Sequence, residues 1–469
     1  MTYRRLLAEN ADFRRLWIGQ VISEIGDWLN NVAVLALTIQ LAGPNAVARA
    51  IAIYALARHV PLFLFGPLAG VVVDRQDRRR VMIVADVARA ILALGFLLAN
   101  HLASLPLIYT VGASLFAVSS FFNAAKRAAI PNIVGNAEQL LTANSLSAST
   151  TAATIAIGSA LGGVVATFIS REIVFILNAA TFLASAGMIR RLTGEMRRHD
   201  DARELRNDAQ ELSNVDERAA DSTDVSERAA VSTSLAHRVV ASLRAAVGEF
   251  RDGLRYVSRH HVLRAVFVVA AGWGLGNGVA RALYSIFGAR LGVAAAQGLV
   301  ERPTDFGISV LFVAMGLGGV LGAPIARRFN AAPGASLGAR MGRSMIFDGC
   351  GLVLFSMMPN LWGAGAVLVA REINFAIWWT AQQTIIMSRT ADRYAGRVFA
   401  SYETLTTLMM VGSMTASGLA ADIYGIRPVA ATGGVIISLS GLFWFALRRR
   451  DSETASGQTT RNIKEVNLE

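Results

Sequence analysis

Gly70-Val71-Val72-Val73-Asp74-Arg75-Gln76-Asp77-Arg78-Arg79-Arg80 lies between two long apolar runs, residues 50–73 and 81–99. Its last seven positions hold six charged side chains. A cluster of that density cannot lie in hydrocarbon, so the segment reads as a short, wet turn joining two membrane spans. Outward from it, apolar stretches recur along nearly the whole chain. They fall near 16–41, 50–73, 81–99, 105–125, 143–169, 173–189, 262–288, 306–326, 344–358, 361–388, 398–421 and 428–447. Crossing a ~30 Å hydrocarbon core takes about 20 residues as a helix, which makes about twelve candidate spans. The runs are continuous rather than alternating, which argues against a β-barrel. Only 17 % of residues are charged and 54 % are apolar, against roughly 25 % charged in soluble domains. The expected fold class is an all-α polytopic membrane protein.

The basic residues give an orientation. With the N-terminus inside, the inner segments carry Arg4, Arg5, Arg14 and Arg15, then Arg75 and Arg78 to Arg80, then Lys126 and Arg127. Later they carry the arginines between 190 and 264, Arg327, Arg328, Arg340, Arg343, Arg389, Arg393, Arg397 and Arg448 to Arg450. The outer segments carry Arg49, Arg171, Arg290, Arg302 and Arg427. Lys and Arg are retained on the cytoplasmic side, so both termini are expected there, in an inner membrane. The net charge of +12 then reflects insertion and anionic lipid, and no nucleic-acid partner is needed to explain it. The first span is too long and too charged to read as a cleaved leader. Cys350 is the single cysteine, so neither an intrachain disulfide nor a cysteine metal site is expected, and the histidines show no metal spacing.

Residues 192–237 break the apolar pattern with Arg, Asp, Glu, Ser and Ala, and contain a near-repeat starting at Val215 and again at Val225. Such a segment cannot bury enough apolar surface to hold one fold. The basic, amphipathic stretch from Leu243 to His261 is expected to lie on the membrane surface. The expected organisation is a six-helix unit over 1–191, a cytoplasmic linker over 192–260, a second six-helix unit over 261–450 and a tail over 451–469. The units look duplicated: Gly70, Asn123 and Glu24 each have a counterpart (Gly322, Asn374 and Trp273) roughly 250 residues on.

These motifs resemble the major facilitator superfamily over essentially the full length. Its loop motif G-x-x-x-D-R-x-x-R-R is matched by Gly70, Asp74, Arg75, Arg78 and Arg79. Gly158-Ser159-Ala160-Leu161-Gly162-Gly163 is similar to the superfamily's antiporter motif, with Ser in place of Pro. The span-four arginine of its drug/proton antiporters is absent. Phe250-Arg-Asp-Gly-Leu-Arg-Tyr-Val-Ser-Arg259 and Gly396-Arg-Val-Phe399 resemble the branch of macrolide-efflux and enterobactin-exporter-like permeases. The resemblance implies two pseudo-symmetric six-helix bundles around a cavity lined by spans one, four, seven and ten. It also implies gating at the loop motif and helix packing at Gly158, Gly162 and Gly163.

Helical spacing points to the same four spans independently. Gln20, Glu24, Asp27 and Asn31 follow i, i+4, i+7, i+11 and share one face of span one. Arg371, Asn374, Trp378 and Gln382 form a matching stripe in span ten, with Glu372 about 100° around the helix. Span seven contributes Trp273, Asn277, Arg281 and Tyr284, and span four contributes Ser119 and Asn123. A carboxylate at bilayer depth costs about 2.5–3.5 kcal/mol on insertion scales, so two on one stripe imply a polar interior. Glu24 or Asp27 is expected to exchange a proton, with Arg371 holding the deprotonated form in one state. The competing reading has Asp27 bracing helices and Arg371 paired to Glu372. Asp86 with Arg89 reads as a structural pair, Arg58-His59 as local bracing with a pore role as the alternative, and Asp348 and Glu403 as isolated acids within reach of the cavity or a partner arginine.

The expected function is secondary-active, proton-coupled export of a hydrophobic or amphipathic small molecule by a monomer. Siderophore or metabolite export, lysophospholipid flipping, and a non-transporting receptor or scaffold are the alternatives. No nucleophile–base set, metal cluster, cofactor motif or P-loop is present in the sequence, so neither an enzyme nor a cofactor is expected.

Overall fold

A computed structural model describes residues 2–193, 248, 250–332 and 336–466. A short α1 (Tyr3–Glu9) precedes twelve long helices. The first six are α2 (Ala11–Leu41), α3 (Val47–Arg75), α4 (Arg78–His101), α5 (Leu105–Ile133), α6 (Ala137–Phe168) and α7 (Arg171–Arg190). The second six are α8 (His261–Ala296), α9 (Pro303–Ala331), α10 (Leu337–Met357), α11 (Leu361–Arg389), α12 (Asp392–Tyr424) and α13 (Ile426–Val466). The predicted tail therefore begins inside α13. Most of the predicted linker lies outside the described residues.

Polar residues at the ends of apolar runs start these helices. Asn10 accepts from Phe13 N at 2.8 Å, Asn136 from Gln139 N at 2.9 Å and Asn360 from Gly363 N at 2.7 Å, each satisfying an otherwise orphaned first-turn amide. Among the described residues, eight helices are long and apolar enough to cross a membrane on length and composition alone. The four long helices outside that set are α2, α10, α11 and α12. They carry Glu24 with Asp27, Asp348, Arg371 with Glu372, and Glu403. Glu24, Asp27, Asp348 and Arg371 meet charged partners inside the protein.

The two halves repeat one packing scheme. In the first, α3 packs on α5, α4 on α5 and α7, and α2 on α6 and α7. Six helices later, α9 packs on α11, α10 on α11 and α13, and α8 on α12 and α13. The halves meet through α6 with α9 and α3 with α12, two contacts that exchange under the same shift. This is the pair of pseudo-symmetric bundles expected from sequence.

Glycines permit the closest approaches. A Cβ on Gly158 would lie 2.6 Å from Ile25 O, and one on Gly162 would lie 2.6 Å from Leu29 O. Both face backbone, which cannot swing aside, so α6 lies directly on α2. Gly163 faces the other half, against Ser309. Gly162→Val is expected to lower stability by about 1–3 kcal/mol through overpacking. The thermal midpoint of the detergent-solubilised protein should fall accordingly; an unchanged midpoint would show that the helices separate freely there.

Residues 250–258 form a helix that docks on α12 as well as lying ahead of α8. A Cβ on Gly253 would meet Arg397 O at 2.6 Å, Ser401 Oγ donates to Phe250 O at 3.1 Å, and Tyr256 stacks on Tyr394 at 4.5 Å. The two stretches that carry the branch resemblance thus lie against each other. A surface-lying helix satisfies its apolar face with lipid; this one spends Val257, 3 % exposed, on protein.

Candidate functional site

Among the described residues, the contacts joining the halves lie from mid-depth to the end remote from the chain termini. Arg171, at the start of α7, donates Nε to Asp305 Oδ1 at 2.8 Å and Nη2 to Oδ2 at 2.6 Å, and also bonds Gln40. Arg302 Nη1 donates to Ala166 O at 2.8 Å, supplying a donor to the open carbonyls at the end of α6. Asp422 accepts from Ala48 N at 3.0 Å and Arg49 N at 3.1 Å, an acid placed on the N-terminal turn of α3. Gly316 against Ala156 and Trp28 near Phe312, with centroids 6.0 Å apart, continue the seam to mid-depth.

Below the seam is a small cavity of about 100 Å³. Trp28, Asn31, Tyr54, Arg58, His59, Arg281, Tyr284, Phe312 and Met414 are among its walls. A second opening follows between α3 and α12, walled by His59, Leu62, Glu403 and Thr407. Arg58 and His59 therefore face the interior, where bracing was expected. Arg58 donates to Asn31 Oδ1 at 2.6 Å, with its guanidinium 5.5 Å from the Trp28 ring centroid and 4.9 Å from that of Phe116.

Two ionic networks flank this chamber. In the first half, Gln20 Nε2 donates to Glu24 Oε1 at 2.8 Å, and Thr154 and Thr151 donate to Oε2 at 3.1 and 3.3 Å. Lys126 Nζ lies 3.8 Å from Glu24 Oε1. Asp27 lies 3.9 Å from Arg89, which also bonds Asp86 and sits over Phe122 at 4.1 Å and Phe182 at 4.4 Å. The Asp86–Arg89 pair is thus present, and it reaches on to the cavity acid. Lys126 was counted only as an inside-positive charge. Its signal in the sequence was its rarity: the chain has one other lysine, Lys464.

In the second half, Arg371 pairs with Asp348, its Nε and Nη2 lying 3.1 Å from the two carboxylate oxygens, and donates to the Tyr284 hydroxyl. The fixed pair expected with Glu372 is replaced by one with Asp348. Here Arg371 reaches neither Glu24 nor Asp27, and its partner is Asp348 on α10, because adjacent helical residues diverge by about 100°. Glu372 instead packs its Cβ near Gly318 and interacts electrostatically with Arg281. Asn374 Nδ2 donates to Ser344 O at 2.8 Å.

Other expected cavity residues are placed elsewhere. Trp378 is 1 % exposed and stacks on Trp273 at 4.7 Å, and Gln382 is 1 % exposed. They belong to an aromatic core, since two adjacent indoles gain more by stacking than by lining a wet cavity. Asn277 is buried and Asn123 half-buried. The loop motif also differs from expectation. A Cβ on Gly70 would meet nothing within 4 Å, whereas its counterpart Gly322 lies against Ile373 Cα at 3.1 Å. Asp74 and Arg75 are exposed, and the acid that caps a helix is Asp77, accepting from Arg79 N at 2.9 Å. Arg78 donates to Ala128 O at 3.1 Å and Arg79 to Arg190 O. With the halves parted at this end, the first-half glycine has no helix to approach.

A sequence model of the Major Facilitator Superfamily matches residues 16–414. The chain belongs to the major facilitator superfamily. YfiS of Bacillus subtilis strain 168, an uncharacterised MFS-type transporter, is 31 % identical over 169 residues, covering 36 % of this chain and 39 % of the relative. A Bacillus amyloliquefaciens protein described as a bacilysin exporter, BacE, is 30 % identical over 171 residues, 36 % of this chain and 41 % of the relative. Macrolide efflux protein A of Streptococcus pyogenes is 34 % identical over 74 residues, 16 % and 18 % of the two chains. The chain spans less than half the length of each of these relatives. A bacterial homologue of the human lysosomal transporter Spinster, solved inward-facing and unoccupied, superimposes with a TM-score of 0.62 at 13 % identity over 94 % of this chain and 96 % of that one. A POT family transporter in complex with 5-aminolevulinic acid gives 0.61 at 11 % identity, over 93 % and 96 %. These two likenesses concern the fold alone. The chain is a multi-pass membrane protein of a transporter family, with efflux-type relatives.

Proposed function

We propose that this superfamily member is a proton-coupled exporter of amphipathic small molecules, with both termini in the cytoplasm of an inner-membrane setting. On that reading the sealed end faces outward and the chamber opens to the cytoplasm, ready to load cargo. The observation that carries the proposal is the first-half ionic network beside the chamber. Glu24, with a side chain 20 % exposed, is held by Lys126 and three neutral donors. Asp27, with a side chain 36 % exposed, shares Arg89 with Asp86. Both acids can reach water while keeping a cation within 4 Å. A proton arriving on either would release that cation, giving protonation a structural consequence. Embedded acids of this kind are functional by default, and the aromatic walls suit an apolar body.

The first test is a screen of drugs, siderophores and lysolipids in energised inverted vesicles, with and without a protonophore. For a substrate so found, Glu24→Gln and Asp27→Asn in proteoliposomes should abolish flux driven by a pH gradient. Full proton-dependent flux in both variants would end the assignment. Asp74→Asn should slow cycling while leaving substrate binding intact, and an unchanged rate would reduce the loop motif to a topology signal.

A further inference from the structure

The chamber between Trp28 and Tyr284 has an uneven charge. Arg58 and Arg281 both line it, with His59 beside them, and no Asp or Glu is among its walls. Among the described residues, no carboxylate lies within ion-pair distance of either arginine. The nearby acids are committed elsewhere or act at longer range. Asp27 is 3.9 Å from Arg89, Asp348 is bound by Arg371, and Glu372 acts on Arg281 from beyond ion-pair distance. Arg58 and Arg281 are both wall residues of this one chamber, and Asp27 acts on Arg58 only from beyond ion-pair distance.

Two like charges facing one partly dehydrated chamber are unfavourable, and the repulsion grows as water is excluded. The remaining polar groups make the same demand. Arg58 spends one N–H on Asn31 of the five a guanidinium offers. Tyr284 accepts from Arg371, which leaves its own O–H to donate. The chamber is therefore rich in donors and poor in acceptors. Trp28 and Phe116 flank the Arg58 guanidinium and fix its plane, the arrangement in which a fork of N–H groups recognises two oxygens at once.

We infer that the Arg58–Arg281 chamber binds an oxyanion, a carboxylate or phosphate monoester, carried on an apolar body that packs against Trp28, Tyr54 and Phe312. This rests on the reading of the chamber as the cargo site, and it narrows the cargo class from amphipathic molecules to anionic amphiphiles. The anion removes the repulsion between the arginines and supplies the acceptors that the walls lack. Bidentate pairing makes the charge-assisted bonds both strong and directional. The unpaired arginines also explain why first-half acids capture other cations: Asp27 and Glu24 are kept by Arg89 and Lys126, leaving Arg58 for the ligand.

The test uses the full chain in detergent and energy transfer from tryptophan to a bound pyrene. The probes are 1-pyrenebutyrate and its neutral amide, with lysophosphatidate as a competitor. The carboxylate should bind at least about tenfold tighter than the amide, as expected for charge-assisted pairing. Arg281→Gln should erase that preference, read as the ratio of carboxylate to amide affinity within the same protein. Among the described residues Arg281 holds no hydrogen bond, but Glu372 interacts with it, so the variant's thermal midpoint is measured alongside to show that it is folded. Arg58→Lys should keep part of the preference, since it retains charge and loses the fork. Stronger displacement by lysophosphatidate than by free butyrate would identify a lipid source for the oxyanion; the reverse would identify a soluble acid. Equal binding of acid and amide by the wild type, or an intact preference in a folded Arg281→Gln protein, would overturn the inference. Flux of both probes without discrimination would sink the anion site and leave export standing. An intact anion preference without proton-driven flux of any substrate would do the opposite.

Discussion

Arg171→Ala is expected to unlock the sealed end of the protein. Asp305 is 0 % exposed and takes both of its charge-assisted bonds from Arg171. Removing one partner of a buried pair costs about 3–5 kcal/mol, because the remaining charge is left uncompensated. Arg171 begins α7 in the first half and Asp305 lies in the first turn of α9 in the second. The cost therefore falls on the arrangement in which the halves meet, and is relieved when that end opens to water. A coupling free energy of 3 kcal/mol corresponds to about 150-fold in population. With Cys350 replaced by serine and a cysteine at Leu35 on the chamber wall, labelling by an impermeant maleimide from the sealed side should rise at least about tenfold. Arg171→Met with Asp305→Leu should restore closure, since apolar groups of similar volume can substitute for a buried pair. Labelling that stays unchanged in Arg171→Ala would mean that the small-residue seam at Gly163, Gly316 and Gly418 holds the end shut by itself.

The fold was legible because its signals are local. The Gly70–Arg80 cluster is too charged for hydrocarbon, and Asn10, Asp77, Ser104, Asn136, Ser170, Ser336 and Asn360 cap the helices that follow them. The stripe in span one was legible for a similar reason: i, i+4, i+7 spacing leaves one face whatever surrounds it. Partner choice is not local. Arg371 was read beside its chain neighbour Glu372, yet it bonds Asp348, 23 residues earlier on an adjacent helix. Lys126 was read with Arg127 as part of an inside-positive turn, yet α5 runs on through Ile133 and brings its ammonium to Glu24. Trp273 and Trp378 had the spacing of cavity residues and became a stacked pair. Helical periodicity tells which residues share a face. It does not tell whether that face meets water or another aromatic ring.

That distinction separates two acids that look alike in the sequence. Asp348→Asn is expected to be among the most damaging isosteric changes to stability, while Glu24→Gln should leave the fold nearly untouched. Asp348 and Arg371 are 5 % and 4 % exposed, and the carboxylate bonds the guanidinium through both oxygens. Asparagine keeps the shape and removes the charge, leaving a buried cation whose remaining polar contacts are neutral, the Tyr284 hydroxyl among them. Breaking such a pair costs about 3–5 kcal/mol, comparable to a large fraction of the stability of an ordinary domain. Glu24 is more accessible, its cation stands at 3.8 Å, and neutral donors already satisfy it. A glutamine can accept the same hydroxyl bonds, and a partly exposed pair of this length is worth about 0–1 kcal/mol. Thermal midpoints in detergent should therefore fall for Asp348→Asn and hold for Glu24→Gln, whereas pH-driven flux should vanish in Glu24→Gln. Pairing Asp348→Leu with Arg371→Met should recover the midpoint, because it removes the stranded charge rather than the packing. If Asp348→Asn is instead stable and loses only its response to pH, the second-half acid carries the proton and the roles of the two networks are exchanged.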